Sequence, residues 1–149
     1  YPQWVEVGDQ WRFYYFGADG SPNVPVQADT VWGIGMASIR KEGFVSLGTS
    51  SKAGGVVVTR LLKWPGGELR VNADAGEDVV RVRVTDAGRR TVSGFDWSDC
   101  RGFQGDSVAH AVTWKSRTLD ELRDQELRLE FLLPKNADIY TFRADVGDR

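Results

Sequence analysis

Apolar residues in this chain return at every second position, not every third or fourth, and that spacing governs what it can fold into. Val80, Val82 and Val84 alternate with Arg81 and Arg83; Leu127, Leu129, Phe131 and Leu133 alternate with Arg128 and Glu130. Leu69, Val71 and Ala73 alternate with Arg70 and Asn72, and Trp11, Phe13 and Tyr15 with Arg12 and Tyr14. Successive strand side chains point to opposite faces, so each segment reads as a strand with one side in a core and the other in water. Extended patterns also cover 30–39, 44–47, 56–62, 108–112 and 139–142. Helical spacing is confined to 116–123, where Leu119 and Leu122 lie three apart and Thr118 precedes Glu121 as in a capping box.

The breaks carry turn chemistry: Gly17 to Pro22, Lys41-Glu42-Gly43, Lys63 to Gly67, Ala75 to Asp78, Asp86-Ala87-Gly88 and Pro134-Lys135-Asn136. About nine short strands with at most one short helical turn predict an all-β fold, an antiparallel β-sandwich of jelly-roll-like kind. The 149 residues fit a single sandwich domain over 1–149 with a genuine hydrophobic core. No repeat of propeller or solenoid period is present.

A formal net charge of -2 leaves no basic field for a phosphate backbone, so nucleic acid is excluded as a partner. No apolar run approaches the roughly 20 residues needed to span a bilayer as a helix. The single Cys100 pairs with no second cysteine and leaves the redox compartment open. The chain opens with Tyr1-Pro2-Gln3-Trp4, which is expected of a processed or excised chain. Gly33-Ile34-Gly35 is no dinucleotide fingerprint, because Ser38 stands at the third glycine and no amphipathic helix follows.

The stretch from Gly94 to Asp106 has no sustained period and mixes rings with carboxylates, an arginine and an amide. Long irregular loops between strands are where binding groups concentrate. Sugar recognition needs flat apolar surface for the ring and planar polar groups for adjacent hydroxyls. Trp97, Asp99, Arg101, Phe103, Gln104 and Asp106 supply both, and Trp64, in a turn before Pro65, is a second candidate platform. The competing use of the same residues is structural: Trp97 and Phe103 plug the end of the sandwich while the carboxylates cap turns. Trp32, Trp114 and Tyr140 lie on strands and read as core, whereas Trp4 and Trp11 read as cover for a neighbouring domain.

Catalysis would require paired carboxylates, for which Asp96, Asp99 and Asp106 are the candidates, with His110 as proton carrier. Acidic residues are common in turns, and no Gly-x-Ser-x-Gly nucleophile is present, so no catalytic residue is assigned. Asp74, Glu77 and Asp78, and separately Asp19, Ser21 and Asn23, gather oxygen ligands that could hold calcium. Neither set completes a calcium-loop spacing, and no metal or other cofactor is assigned.

Gly8 to Gly17, followed by Gly33 to Arg40 and Gly43 to Leu47, resembles the closing strands of five-bladed propeller glycoside hydrolases of the fructosidase and arabinanase type. The rest, from Leu69-Arg70-Val71-Asn72 through Gly94-Phe95, Asp99-Cys100, Gly105-Asp106-Ser107 and Val112-Thr113-Trp114 to Leu129-Glu130-Phe131 and Ile139 to Phe142, looks like the β-sandwich that follows such propellers. The resemblance divides the chain into 1–47 and a sandwich proper over 48–149. The family's catalytic carboxylates sit on early blades that this sequence does not supply, so none is carried over. The likeness implies a non-catalytic accessory module of a secreted or periplasmic polysaccharide-degrading protein. Its implied partners are a polysaccharide or oligosaccharide and a catalytic propeller domain or other protein. A structural or assembly domain without glycan binding, and a small glycan-cleaving enzyme, are the alternatives.

Overall fold

The computed structural model describes residues 4–19 and 30–147. They form eleven strands, all paired antiparallel, and one 3-10 turn, in two compact units, Tyr1–Phe44 and Val45–Arg149.

In the first unit β1 (Trp4–Val7), β2 (Gln10–Ala18) and β3 (Trp32–Arg40) make a three-stranded sheet in that order. Gly8, at φ 59, supplies the left-handed turn between β1 and β2. Lys41 ties the end of β3 back to β1 by donating from Nζ to Glu6 at 2.7 Å. Residues directly opposite in an antiparallel pair share a face. The register therefore puts Trp4, Trp11, Phe13 and Tyr15 on one face, and Tyr14, Phe16, Trp32, Ile34 and Met36 on the other. Trp32 is 49% exposed, so its expected place in a core is corrected: it stacks on Phe16 at 5.1 Å.

The second unit is an antiparallel β-sandwich. One sheet runs β4 (Leu47–Gly48), β11 (Asp138–Asp145), β7 (Glu68–Asp74), β9 (Asp106–Val112). The other is centred on β10 (Glu126–Leu133), which pairs with β5 (Gly55–Val58), β6 (Leu62–Lys63) and β8 (Arg81–Thr85). Leu69, Val71 and Ala73 from the first sheet bury against Val82, Val84, Leu127, Leu129 and Phe131 from the second. Each of these valine, leucine and phenylalanine side chains stabilises the fold by about 1.5–3 kcal/mol when fully removed from water. Trp114 and Phe95 extend the core, with rings 5.1 Å apart and the Trp114 indole donating to the Val82 carbonyl at 2.8 Å.

Three local departures from period two have physical causes. The expected strand 56–62 is interrupted, because one extra residue lies between the pairs Val58↔Glu130 and Leu62↔Leu127. There the Thr59 hydroxyl accepts the Leu129 N–H at 3.0 Å, in place of a backbone carbonyl. A register shift against β7 leaves His110 and Val112 opposite core residues Val71 and Leu69, while Ser107 and not Val108 faces Ala73. The segment 44–47 contributes only Leu47 to a strand. The helical turn falls where the spacing predicts it, at Leu119–Leu122, with both leucines buried and Glu121 accepting the Thr118 N–H at 3.3 Å.

Candidate functional site

The 94–106 loop is a strap sewn to the sandwich along most of its length. Gly94, at φ 82, turns the chain so that Phe95 enters the core and its N–H donates to the Val92 carbonyl at 3.0 Å. The Asp96 carboxylate then accepts the Trp97 N–H at 2.7 Å, and its carbonyl accepts both Asp99 and Cys100 N–H at 3.0 Å. This tight turn throws Trp97 onto the β8–β10 sheet, on the side facing away from the core. The Arg83 guanidinium lies 3.7 Å from the Trp97 ring centre, and the indole donates to the Glu130 carbonyl at 3.4 Å. Trp97 is half-buried as a result.

Beneath this pair sits Glu130, a carboxylate on the polar side of β10 that is nonetheless 1% exposed. It accepts hydrogen bonds from Arg83 (2.5 Å) and Thr85 (3.1 Å) and lies 3.4 Å from Arg89. Burial pushes the Glu130 carboxyl up, but the Arg83 and Thr85 hydrogen bonds and the Arg83 and Arg89 charges outweigh it. The net effect holds the carboxyl below its ordinary range.

Asp99 binds the Lys115 ammonium at 2.5 Å and accepts the Asp96 N–H at 3.3 Å; both hold its carboxyl low. Cys100 returns to the core, where its sulfur accepts N–H bonds from Val82 (3.3 Å) and Gly102 (3.4 Å). Burial pushes its thiol pKa up. Arg101 is exposed, and its backbone N–H donates to Thr113 at 3.0 Å. Phe103, 8% exposed, bridges to Val80 and stacks on His110 at 4.3 Å. Gln104 donates to the Glu77 carbonyl at 2.8 Å, and Asp106 begins β9 opposite Asp74.

The six loop residues therefore do not gather in one place. Trp97 lies against Arg83 and Glu130, Asp99 pairs with Lys115, Arg101 is exposed, and Phe103, Gln104 and Asp106 belong to the turn before β8 and the start of β9. Phe103 offers no ring to a ligand, because its surface is spent on His110 and the core. Trp64 also departs from expectation, being 2% exposed. Its backbone extends the β6 pairing, donating to Gln125 (3.0 Å) and accepting from Asp124 (2.8 Å), which aims the ring inward. Gly66 and Gly67, at φ 92 and 80, fold the chain back so that the Gly67 carbonyl accepts the indole N–H at 3.2 Å.

Of the candidate calcium ligands, Asp74 accepts the Gly76 N–H at 3.0 Å as a turn cap. Ser21 and Asn23 lie outside the described residues. No group of three or more His, Cys, Asp or Glu among the described residues is placed to hold a metal. An open polar groove of about 440 Å³ lies between Gly67, Asp120, Arg123 and Asp145. Asp120 is engaged there by the Gly67 N–H and by Arg123, both at 2.6 Å.

No family model, curated protein or solved structure matches the chain.

The feature that period-two reading undervalues is the β1–β3 sheet, which is apolar on both sides. Tyr15 (58%) and Trp4 (54%) are exposed on one face; Phe16 (68%), Ile34 (80%) and Met36 (51%) are exposed on the other. Trp4 stacks on Trp11 at 5.6 Å and Phe44 packs on Trp11 at 5.5 Å, so one face carries a continuous aromatic strip. The available signal was the run Phe13-Tyr14-Tyr15-Phe16, in which both parities are ring-bearing. Near-continuous apolar strands belong to sheets covered on both faces.

Proposed function

We propose that the chain is a non-catalytic accessory module of a polysaccharide-degrading glycoside hydrolase-like protein, and that it works by docking on a catalytic propeller domain. The observation that carries this reading is the sheet of β1–β3, whose two faces both expose large apolar side chains. Exposed patches of that kind mark interaction surfaces, and a propeller blade is a sheet with apolar neighbours on either side. The resemblance of the same residues to closing propeller strands points to the same partner. The sandwich of 45–149 has its own closed core and is the part that rides on the assembly.

The test uses the full chain mixed with a fructosidase-type propeller fragment that lacks its final blade strands, followed by analytical ultracentrifugation. A one-to-one complex with micromolar or tighter affinity is expected from the wild type, weakened at least tenfold by Phe16→Asp. No complex, or one indifferent to Phe16→Asp, overturns the reading.

Glycan contact through the 97–106 loop has narrower support: part of the Trp97 ring is accessible, and Arg101, Gln104 and Asp106 are exposed. Titration against a panel of fructans, arabinans and other plant and algal polysaccharides, with Trp97→Ala as control, decides it. Binding that persists unchanged in the variant removes the loop from the account.

A further inference from the structure

Resting on the reading of this chain as a module that contacts glycan, we infer that its ligand is an acidic polysaccharide, whose uronate carboxylates are held by Arg81, Arg83 and Arg101 beside the Trp97 ring.

Charge on the outward side of the second sheet points to an anion. Val82, Val84, Leu129 and Phe131 turn into the core, so where β8 pairs with β10 the outward positions are Arg81, Arg83 and Thr85 on one strand and Leu132, Glu130 and Arg128 on the other. The one carboxylate among them, Glu130, is 1% exposed and already engaged by Arg83, Thr85 and Arg89. What this face shows to water is therefore cationic, on a chain whose formal net charge is -2. A local excess of one sign concentrates ligands of the other.

The donors here are also unspent. Arg83 directs Nε and Nη2 at the same Glu130 oxygen, at 3.2 and 2.5 Å, and its Nη1 has no partner among the described residues. Arg81 and Arg101 are exposed, and neither makes an ion pair with a described residue. The strap brings these two together, because a Cβ built on Gly102 would lie 3.4 Å from the Arg81 Cγ and the backbone next to Arg101 thus runs against the Arg81 stem. The partly accessible Trp97 ring lies 3.7 Å from the Arg83 guanidinium. Of the strap carboxylates beside it, Asp99 is held by Lys115 and Asp96 caps the Trp97 N–H. Paired guanidinium N–H groups match the two oxygens of a carboxylate, and an aromatic ring matches the apolar face of a sugar. Exposed arginines hold a single small anion weakly, whereas a polymer that repeats its carboxylate engages several of them at once. A uronate chain brings the carboxylate, the sugar face and the repetition together.

The experiment titrates the full chain by calorimetry with polygalacturonate and alginate, with neutral fructan and arabinan, with a sulfated galactan and with poly-glutamate, each at low and at high salt. The uronates are expected to bind at least tenfold more tightly than the neutral polymers, and less tightly as salt rises. The double variant Arg81→Gln with Arg101→Gln is expected to lose at least tenfold in uronate affinity. Its thermal unfolding stays at the wild-type temperature, because neither guanidinium makes a hydrogen bond to a described residue. Uronate binding unchanged in that variant overturns the assignment of these arginines. Binding confined to the neutral polysaccharides and lost in Trp97→Ala overturns the acidic ligand and leaves glycan contact standing, whereas no binding to any polysaccharide overturns glycan contact itself. Equal or tighter binding of the sulfated galactan or of poly-glutamate overturns recognition of the uronate.

Discussion

The sheet of β1–β3 and the sandwich of β4–β11 draw on similar residues and use them in opposite ways. In the sandwich, Trp114, Phe95, Leu69 and Leu129 are fully buried, and the rings contact one another or the backbone inside the unit. In the sheet, Phe16, Ile34 and Tyr15 are more than half exposed; the Phe16 ring stacks on Trp32 and the Tyr15 ring lies across Gly35. The difference follows from which positions are apolar. Where Arg70, Arg83 and Arg128 interrupt the apolar positions, one face closes on a core and the fold is complete. Where Phe13 to Phe16 leave both parities apolar, the sheet exposes large apolar side chains on both faces.

The comparison breaks if side chains of the two regions prove equally costly to remove. Trp114→Ala carries the largest expected effect, about 3–5 kcal/mol, from the lost transfer energy of a fully buried ring and the cavity left behind. Urea unfolding followed by circular dichroism measures it. Glu130→Gln comes next at about 2–3 kcal/mol, because charge-assisted bonds from Arg83 are weakened within a covered site. The folded Glu130 carboxyl titrates below its unfolded counterpart. Its stabilisation is therefore complete above the unfolded pKa, about 4.3, and is lost as pH falls through the lower folded value. Unfolding free energies of wild type and Glu130→Gln should differ at neutral pH and converge on the acid side; parallel curves would exclude this carboxylate as the source.

Trp97→Phe sharpens the contrast within the sandwich unit. It keeps a ring under Arg83 but removes the indole donor to Glu130, for an expected loss of about 0.5–1 kcal/mol in thermal unfolding. Phe16→Ser is the smallest, within about 0.5 kcal/mol, since an exposed ring contributes little to the isolated chain. A loss there as large as that of Trp114→Ala would place Phe16 in a core and dissolve the distinction between the two regions.

The strands β7, β8 and β10 were legible because arginines, asparagine and glutamate mark their outward positions so regularly. The helical turn was legible from two leucines and a capping pair. Trp64 was not, since its surroundings have the composition of a turn and only the Asp124 and Gln125 pairing aims the ring inward. The split of the 56–62 strand was equally hidden, because it depends on a hydroxyl of Thr59 standing in for a carbonyl. The loop residues were individually visible, but their partition between Glu130 and His110 was not. Adjacent residues of an irregular strap can serve different layers, and local composition says nothing about which.

Cys100 gives the sandwich an internal timer. With its sulfur enclosed, held by two amide N–H groups and its thiol pKa pushed up, almost no thiolate reaches an oxidant or alkylating reagent while the unit stays closed. Alkylation of Cys100 therefore requires the sulfur to be uncovered first, and at a fixed reagent concentration its rate follows how often that happens.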